Sequence, residues 1–290
     1  TNQGQTPSIE VYPVYEGQGR DSPSPVPPLS PIAVFPVIDH EDTYKIYLTN
    51  LQEPTDVFDL KIIDAPLDID YIVDPVICEE TFVDARNGRE YAVAKIGNQC
   101  WMAKNLNAGI MINGADDQID NAFLEKYCYN NIESNCDKYG GLYQWNEAMQ
   151  YNGSCNGAGE PPNDACSLPV QGACPDGWHL PSHYEWTTLE RAVCSSGACL
   201  NNFPFGTAII GNHGANEGAK LQAGGQSGFE ALLAGYYTGE FNYLGSYTGF
   251  WSSSENGAGA WIRYLGSGRP QISQYIYGKS SAFSLRCIKN

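Results

Sequence analysis

Two patterns of apolar residues divide the chain. Up to about residue 77, apolar positions come in short runs rich in β-branched and aromatic side chains. The runs are Ile9–Tyr15, Ile32–Ile38, Tyr44–Thr49, Val57–Ile63 and Ile69–Val73. Turn residues at 39–42 and 53–56 separate several of them, so each reads as a short strand. In Ile9–Tyr15 the alternation puts Ile9, Val11 and Tyr15 on one face and Tyr12 and Val14 on the other. A strand apolar on both faces needs burial on both. Pro13 cannot donate to a ladder, which predicts an edge strand or one added to another sheet. Between this run and the next lies Asp21–Pro31, with five prolines in eleven residues. It reads as a stiff spacer of about 3.1 Å per residue, long enough to reach a neighbouring copy.

Beyond Cys78 the pattern changes. Ser182–Glu185 is an S-x-x-E capping box behind Pro181. Trp186, Leu189 and Val193 then recur on one helical face. Tyr143–Met149 is a second, shorter helical candidate. Glu90–Ile96, Phe229–Tyr237, Trp261–Leu265, Gln271–Tyr277 and Ser281–Ile288 read as strands. Two helices among many strands predict an α+β domain.

Composition sharpens the division. The first 77 residues hold 11 of the 18 prolines, 13 acidic and 3 basic residues, and no cysteine; all 10 cysteines lie between Cys78 and Cys287. The chain is therefore expected to consist of an extended arm with its Pro-rich spacer (1–31), a small β region (32–77) and a disulfide-rich domain (78–290). With net charge −17 it would repel a nucleic-acid backbone and an anionic membrane surface. No apolar run approaches the length of about 18 residues that a transmembrane helix needs. Ten cysteines without a CxxC pair, and only 4 histidines, favour disulfides over zinc or redox chemistry. Disulfides imply an oxidising compartment, and the start at Thr1 reads as a mature secreted chain freed of its leader.

A set of ordered blocks carries a resemblance. They are VDARNGREYAVAKIGNQCWMAKNLN at 83–107, YGGLYQWNEAM at 139–149, CPDGWHLPSHYEWTTLERAV at 174–193, GAKLQAGGQSGFEALLAG at 218–235, FWSSSE at 250–255 and FSLRCIK at 283–289. From about residue 81 to 290 the chain resembles the Fibrobacter succinogenes major paralogous domain. That family is similar to C-type-lectin-like folds, and the HLPSHYEW and FSLRC blocks are also similar to the formylglycine-generating enzymes. The resemblance implies a compact domain on a bacterial surface or secreted protein, and it brings no catalytic residues. It also implies a Cys174–Cys287 disulfide. Proximity in sequence suggests Cys128–Cys136, Cys194–Cys199 and Cys155–Cys166, leaving Cys78 and Cys100; ten cysteines allow many other pairings.

The remaining candidates for chemistry are few. Glu160–Asp164 (EPPND) is superficially like the Glu-Pro-Asn calcium segment of C-type lectins. Glu160, Asn163 and Asp164 alone fall short of the 6–8 oxygen ligands that Ca²⁺ takes. Asp116, Asp117 and Asp120 form another acidic cluster, expected to be a solvated loop. His179 and His183 straddle a helix start and cannot form an HExxH site, and His179 reads as structural. No nucleophile elbow or phosphate loop is present, so no enzyme activity and no cofactor are expected. Among the aromatics of 236–251, Trp251 is expected in the core, as is Trp261 beyond them. Tyr243 and Tyr247, set among Gly, Asn and Ser, are the candidates for glycan contact. The leading expectation is a structural subunit of an extracellular, pilus-like filament. It would assemble with other copies through Ile9, Val11, Tyr12, Val14 and Tyr15 and display a lectin-like domain. The alternative is a monomeric or anchored adhesin binding cell-surface or environmental glycans.

Overall fold

The computed structural model describes residues 8–13, 33–36, 58–63, 77–151, 169–195, 198–204 and 210–290. Two compact units make up the chain, Thr1–Pro75 and Val76–Asn290. In the first unit β1 (Ser8–Pro13) lies between β2 (Ala33–Pro36) and β3 (Phe58–Ile63), antiparallel to both. Ser8–Val11 pairs with β2, and the whole of β1 pairs with β3.

This corrects the expectation of an edge strand over Ile9–Pro13, since β1 lies between two strands of its own chain. Over Ile9–Pro13 the partners belong to the same chain. Pro13 is accommodated because the ladder to β2 ends at Val11, so its missing N–H removes no bond on that side. Val14, Tyr15, Tyr44–Thr49 and Ile69–Val73 lie outside the described residues.

Two sheets of the second unit are built from β4 (Thr81–Asp84), β5 (Arg89–Ile96), β6 (Gln99–Met102), β7 (Trp178–His179), β8 (Gly211–His213), β9 (Tyr247–Asn256), β10 (Gly259–Gly266), β11 (Arg269–Gly278) and β12 (Ile288–Lys289). The main helix is α1 (His183–Val193). One sheet has the order β7-β12-β6-β5-β4 and another the order β8-β11-β10-β9. The unit is thus mixed, mostly strand with few helices among the described residues. None of those helices is long and apolar enough to cross a membrane.

The capping box forms. The Ser182 hydroxyl accepts from the Glu185 amide at 3.2 Å, and the Glu185 carboxylate accepts from the Ser182 amide at 2.8 Å. Trp186 and Leu189 then pack with Trp101, Phe203, Phe229, Phe250, Leu265 and Ile272. Each such side chain contributes about 1.5–3 kcal/mol of burial. A second core gathers Met102, Leu106, Tyr143, Trp145, Leu180, Trp251, Ile262, Phe283 and Leu285. Trp251 and Trp261 are fully buried, as expected.

Three sequence expectations need correction. Only Trp145–Ala148 of Tyr143–Met149 is helical, because Tyr143 and Gln144 pair with Phe283 and Ala282. Within Phe229–Tyr237 only Tyr236–Tyr237 is strand. Ser281–Ile288 is broken, with strand at Ala282–Phe283 and again from Ile288. The loss of strand within Phe229–Tyr237 has a local cause. Arg286, fully buried, donates to the carbonyls of Met102, Phe229 and Glu230 and to the Asn105 side chain. Backbone groups bound by a guanidinium are lost to a ladder. Burial lowers the Arg286 pKa to about 9.

Among the described residues four disulfides staple the unit: Cys78–Cys100, Cys128–Cys136, Cys174–Cys287 and Cys194–Cys199. Cys155 and Cys166 lie outside the described residues.

Candidate functional site: a tyrosine face

The register of the β9–β11 sheet sorts its side chains. Ile262 pairs with Trp251 and Tyr275, Tyr264 with Gly249 and Ser273, and Ala260 with Tyr277. Paired residues share a face, and neighbours along a strand alternate. One face therefore carries Phe250, Arg263, Leu265, Ile272 and Gln274, and packs beneath α1. The other carries Tyr247, Trp251, Ile262, Tyr264, Tyr275 and Tyr277. Its centre is buried under Trp251 and Phe283, whose rings meet edge-on at 4.8 Å. Its margin holds the four tyrosines, all half-buried.

Tyr236 and Tyr243 complete the group. Tyr243 stacks on Tyr236 at 5.6 Å and meets Tyr247 edge-on at 5.5 Å. Tyr247 stacks on Tyr264 at 5.1 Å, and Tyr264 meets Tyr275 at 6.4 Å. Tyr236 touches Tyr277 at 6.3 Å, and the Tyr264 hydroxyl donates to that of Tyr236 at 3.4 Å. Tyr243 is the most open of the six, 53% exposed.

Local backbone chemistry holds these rings. Tyr243 has φ +61°, a left-handed conformation costly for a large side chain. Its carbonyl accepts from the Ser246 and Tyr247 amides, and the Gly245 amide donates to Leu233. The Ser267 amide donates to Ser246, tying this turn to the β10–β11 hairpin. Gly266 makes room for Tyr247, since a Cβ there would lie 2.5 Å from its ring. Burial raises the Tyr264 and Tyr277 pKa values, so both remain neutral phenols. The charged group at this margin is Arg269, whose guanidinium carbon lies 5.5 Å from the Tyr247 ring centre. Ring faces with phenol hydroxyls can stack on the C–H face of a flat ligand and hydrogen-bond its edge.

The two tyrosines singled out in the sequence, Tyr243 and Tyr247, are in direct contact here. Tyr264, Tyr275 and Tyr277 were missed, although the alternation of QYIY at 274–277 signals that both tyrosines there share a face. Tyr237 and Phe241 belong elsewhere, packing with Tyr127 and Tyr129.

The other candidates do not converge on a site. Glu160, Asn163 and Asp164 lie outside the described residues. Asp117 accepts from Gln144 at 3.1 Å, and no metal-holding group of His, Cys, Asp and Glu exists among the described residues. His179 bonds Asn290 and Glu185, both at 2.7 Å. Burial disfavours its charged form, but the Glu185 contact outweighs this and raises its pKa. Beneath α1, Arg263 pairs with Glu190 at 2.5 Å and contacts His183 and Thr187, while Gln274 donates to Glu190 at 2.8 Å. This network is sealed from solvent. A polar cleft of about 260 Å³ between β5, β6 and Glu133–Tyr139 is lined by Arg89, Glu90, Lys104, Asp137 and Lys138. Its charges alternate, and its Asn105 and Asn107 amides are engaged internally.

Fold and surface together define a disulfide-stapled α+β domain whose distinctive face is aromatic. Over residues 94–289 the chain matches the model of the Fibrobacter succinogenes major domain, and it belongs to that family. No curated protein and no solved structure is significantly similar to it.

Proposed function

We propose that this is a non-enzymatic, extracellular bacterial surface protein whose lectin-like unit, Val76–Asn290, binds carbohydrate through the tyrosine face. The carrying observation is the convergence of six tyrosines from four strands and one turn, with Tyr243 held open in a strained backbone. The exposed rim is Gly245, Ser246, Ser267 and Gly268, small and polar, as suits a ligand with many hydroxyls. Four disulfides support an oxidising compartment. The internal engagement of His179, Glu185, Glu190 and Arg263 favours a binder over an enzyme. A pilus-like filament built through Ile9–Tyr15 would require β1 to leave both of its partners.

A glycan array probed with the full chain, with and without chelator, tests the reading. Expected is chelator-independent binding that Y243A weakens about tenfold or more. No binding to any glycan, or binding untouched by Y243A, refutes it.

A further inference from the structure

Of the six described arginines, five donate to carboxylates or carbonyls. Arg86 meets Asp84, Arg89 meets Asp137, Arg263 meets Glu190, Arg191 meets the Phe203 carbonyl, and Arg286 meets three carbonyls and Asn105. Arg269 is the exception. Among the described residues it has no ion pair and no hydrogen-bond acceptor, only the Tyr247 ring. Three of the other five meet a carboxylate and two meet carbonyls, so what sets Arg269 apart is that it has no acceptor of either kind. It is also exposed, at the hairpin turn that the Ser267–Ser246 bond ties to Tyr243.

We propose that Arg269 is the specificity determinant of the tyrosine face, and that the ligand is a glycan carrying a carboxylated sugar. This rests on the carbohydrate reading above and narrows it. Tyr236 stacks on one face of Tyr243, and that residue remains 53% exposed for a sugar ring to meet. The guanidinium lies one ring further on, across Tyr247. A carboxylate on the stacked sugar, or on the residue joined to it, can meet the guanidinium fork through two parallel hydrogen bonds. The phenols cannot compete for this role, because a phenol never carries a positive charge.

Net charge narrows the class further. At −17 the protein repels a dense polyanion, although beyond about 8 Å that repulsion is screened at physiological salt. One arginine cannot offset a carboxylate on every residue. The expected ligand is thus an otherwise neutral glycan with an isolated or terminal acidic sugar.

The test is an array of matched pairs, each carboxylated oligosaccharide beside its carboxyl-reduced form, with sulfated oligosaccharides alongside. It is probed with the wild-type chain, R269A, R269K and Y243A. Arg269 is exposed, so both its variants should fold, and tryptophan fluorescence checks this. Expected is about tenfold tighter binding of the carboxylated member of a pair. R269A should abolish that preference, so that the two members of a pair bind alike. R269K should keep only part of it, whereas Y243A should weaken both members alike. Equal binding within pairs, or a preference that survives R269A, overturns this inference and leaves the carbohydrate reading standing. A preference for sulfated glycans alone also overturns it. Absence of all glycan binding overturns both.

Discussion

The buried pair Glu190–Arg263 gives the sharpest prediction about the fold. Both side chains are sealed from water and joined at 2.5 Å, with Gln274 on the second carboxylate oxygen and His183 and Thr187 on the guanidinium. Burial raises the Glu190 pKa and lowers that of Arg263, so desolvation opposes both charges. The pair adds little net stability, yet losing one partner is costly. E190Q preserves shape and an acceptor for Gln274 but strands a buried guanidinium, which holds its proton strongly. The expected loss is about 3–5 kcal/mol. R263M strands a carboxyl that can escape by taking a proton. A carboxyl with a raised folded pKa stabilises below its unfolded pKa and loses that contribution as pH climbs through the folded one. R263M should therefore cost less, relative to wild type, at pH 5 than at pH 7. The double variant removes both charges and should fall short of the summed losses by at least about 2 kcal/mol. All six tryptophans lie in the second unit, at 101, 145, 178, 186, 251 and 261. Urea unfolding followed by tryptophan fluorescence, with disulfides intact, therefore reports on this unit alone. At a slope of about 2–3 kcal/mol/M, the E190Q midpoint should drop by about 1–2 M. A cost below about 1 kcal/mol for E190Q, or simple additivity in the double variant, would refute the reasoning.

Three further outcomes are expected. His183 is buried, its Nδ1 lies 3.2 Å from the Arg263 guanidinium, and burial followed by Arg263 and His213 pushes its pKa well down. With the folded pKa depressed, the unfolded chain binds the extra proton, so stability should fall below about pH 6.5 by up to about 1.4 kcal/mol per unit; a flat urea midpoint between pH 6.5 and 5 would contradict this. Removing Cys174–Cys287, whose partners are 113 residues apart, should cost about 4–5 kcal/mol, against about 2 kcal/mol for Cys194–Cys199; equal losses in denaturation would count against the chain-entropy account. G266A puts a methyl 2.5 Å from the Tyr247 ring and should cost about 1–3 kcal/mol; glycan binding should be lost with it, and unchanged binding would show that Tyr247 is not part of the site.

What the sequence revealed was mostly local. The Ser182–Glu185 cap is a three-residue spacing, and Cys128–Cys136 and Cys194–Cys199 close short loops, so each could be read directly. The helix after the cap followed from Trp186 and Leu189 recurring on one face. Long-range pairing escaped. Phe229–Tyr237 has the composition of a strand, but Glu230 and Gly235 take left-handed φ values of +52° and +67°, and Arg286 takes two of its carbonyls. Tyr243 and Tyr247 stood out by their small polar neighbours. Tyr264, Tyr275 and Tyr277 did not, because the register that aligns β9, β10 and β11 decides which face each occupies. Likewise, no spacing rule links Glu190 to Arg263, 73 residues apart. In the first unit Pro13 misled, because a proline bars a strand from the middle of a sheet only where both ladders run past it.

The position of β12 bears on how the protein is made. It is the last strand in sequence, yet it lies inside its sheet, bonded to β7 on one side and β6 on the other. Its neighbour Cys287 is the partner that Cys174 requires. While the ribosome is still adding residues before 287, the sheet has a gap between two strands already synthesised, and Cys174 remains a thiol. Cys78–Cys100, Cys128–Cys136 and Cys194–Cys199 can all close earlier. A chain emerging N-terminus first thus reaches its lasting form only once residues 287–289 have joined the sheet. Until then Cys174 can react with the wrong cysteine, so a thiol–disulfide isomerase should raise the yield of native protein more than it raises the rate of oxidation.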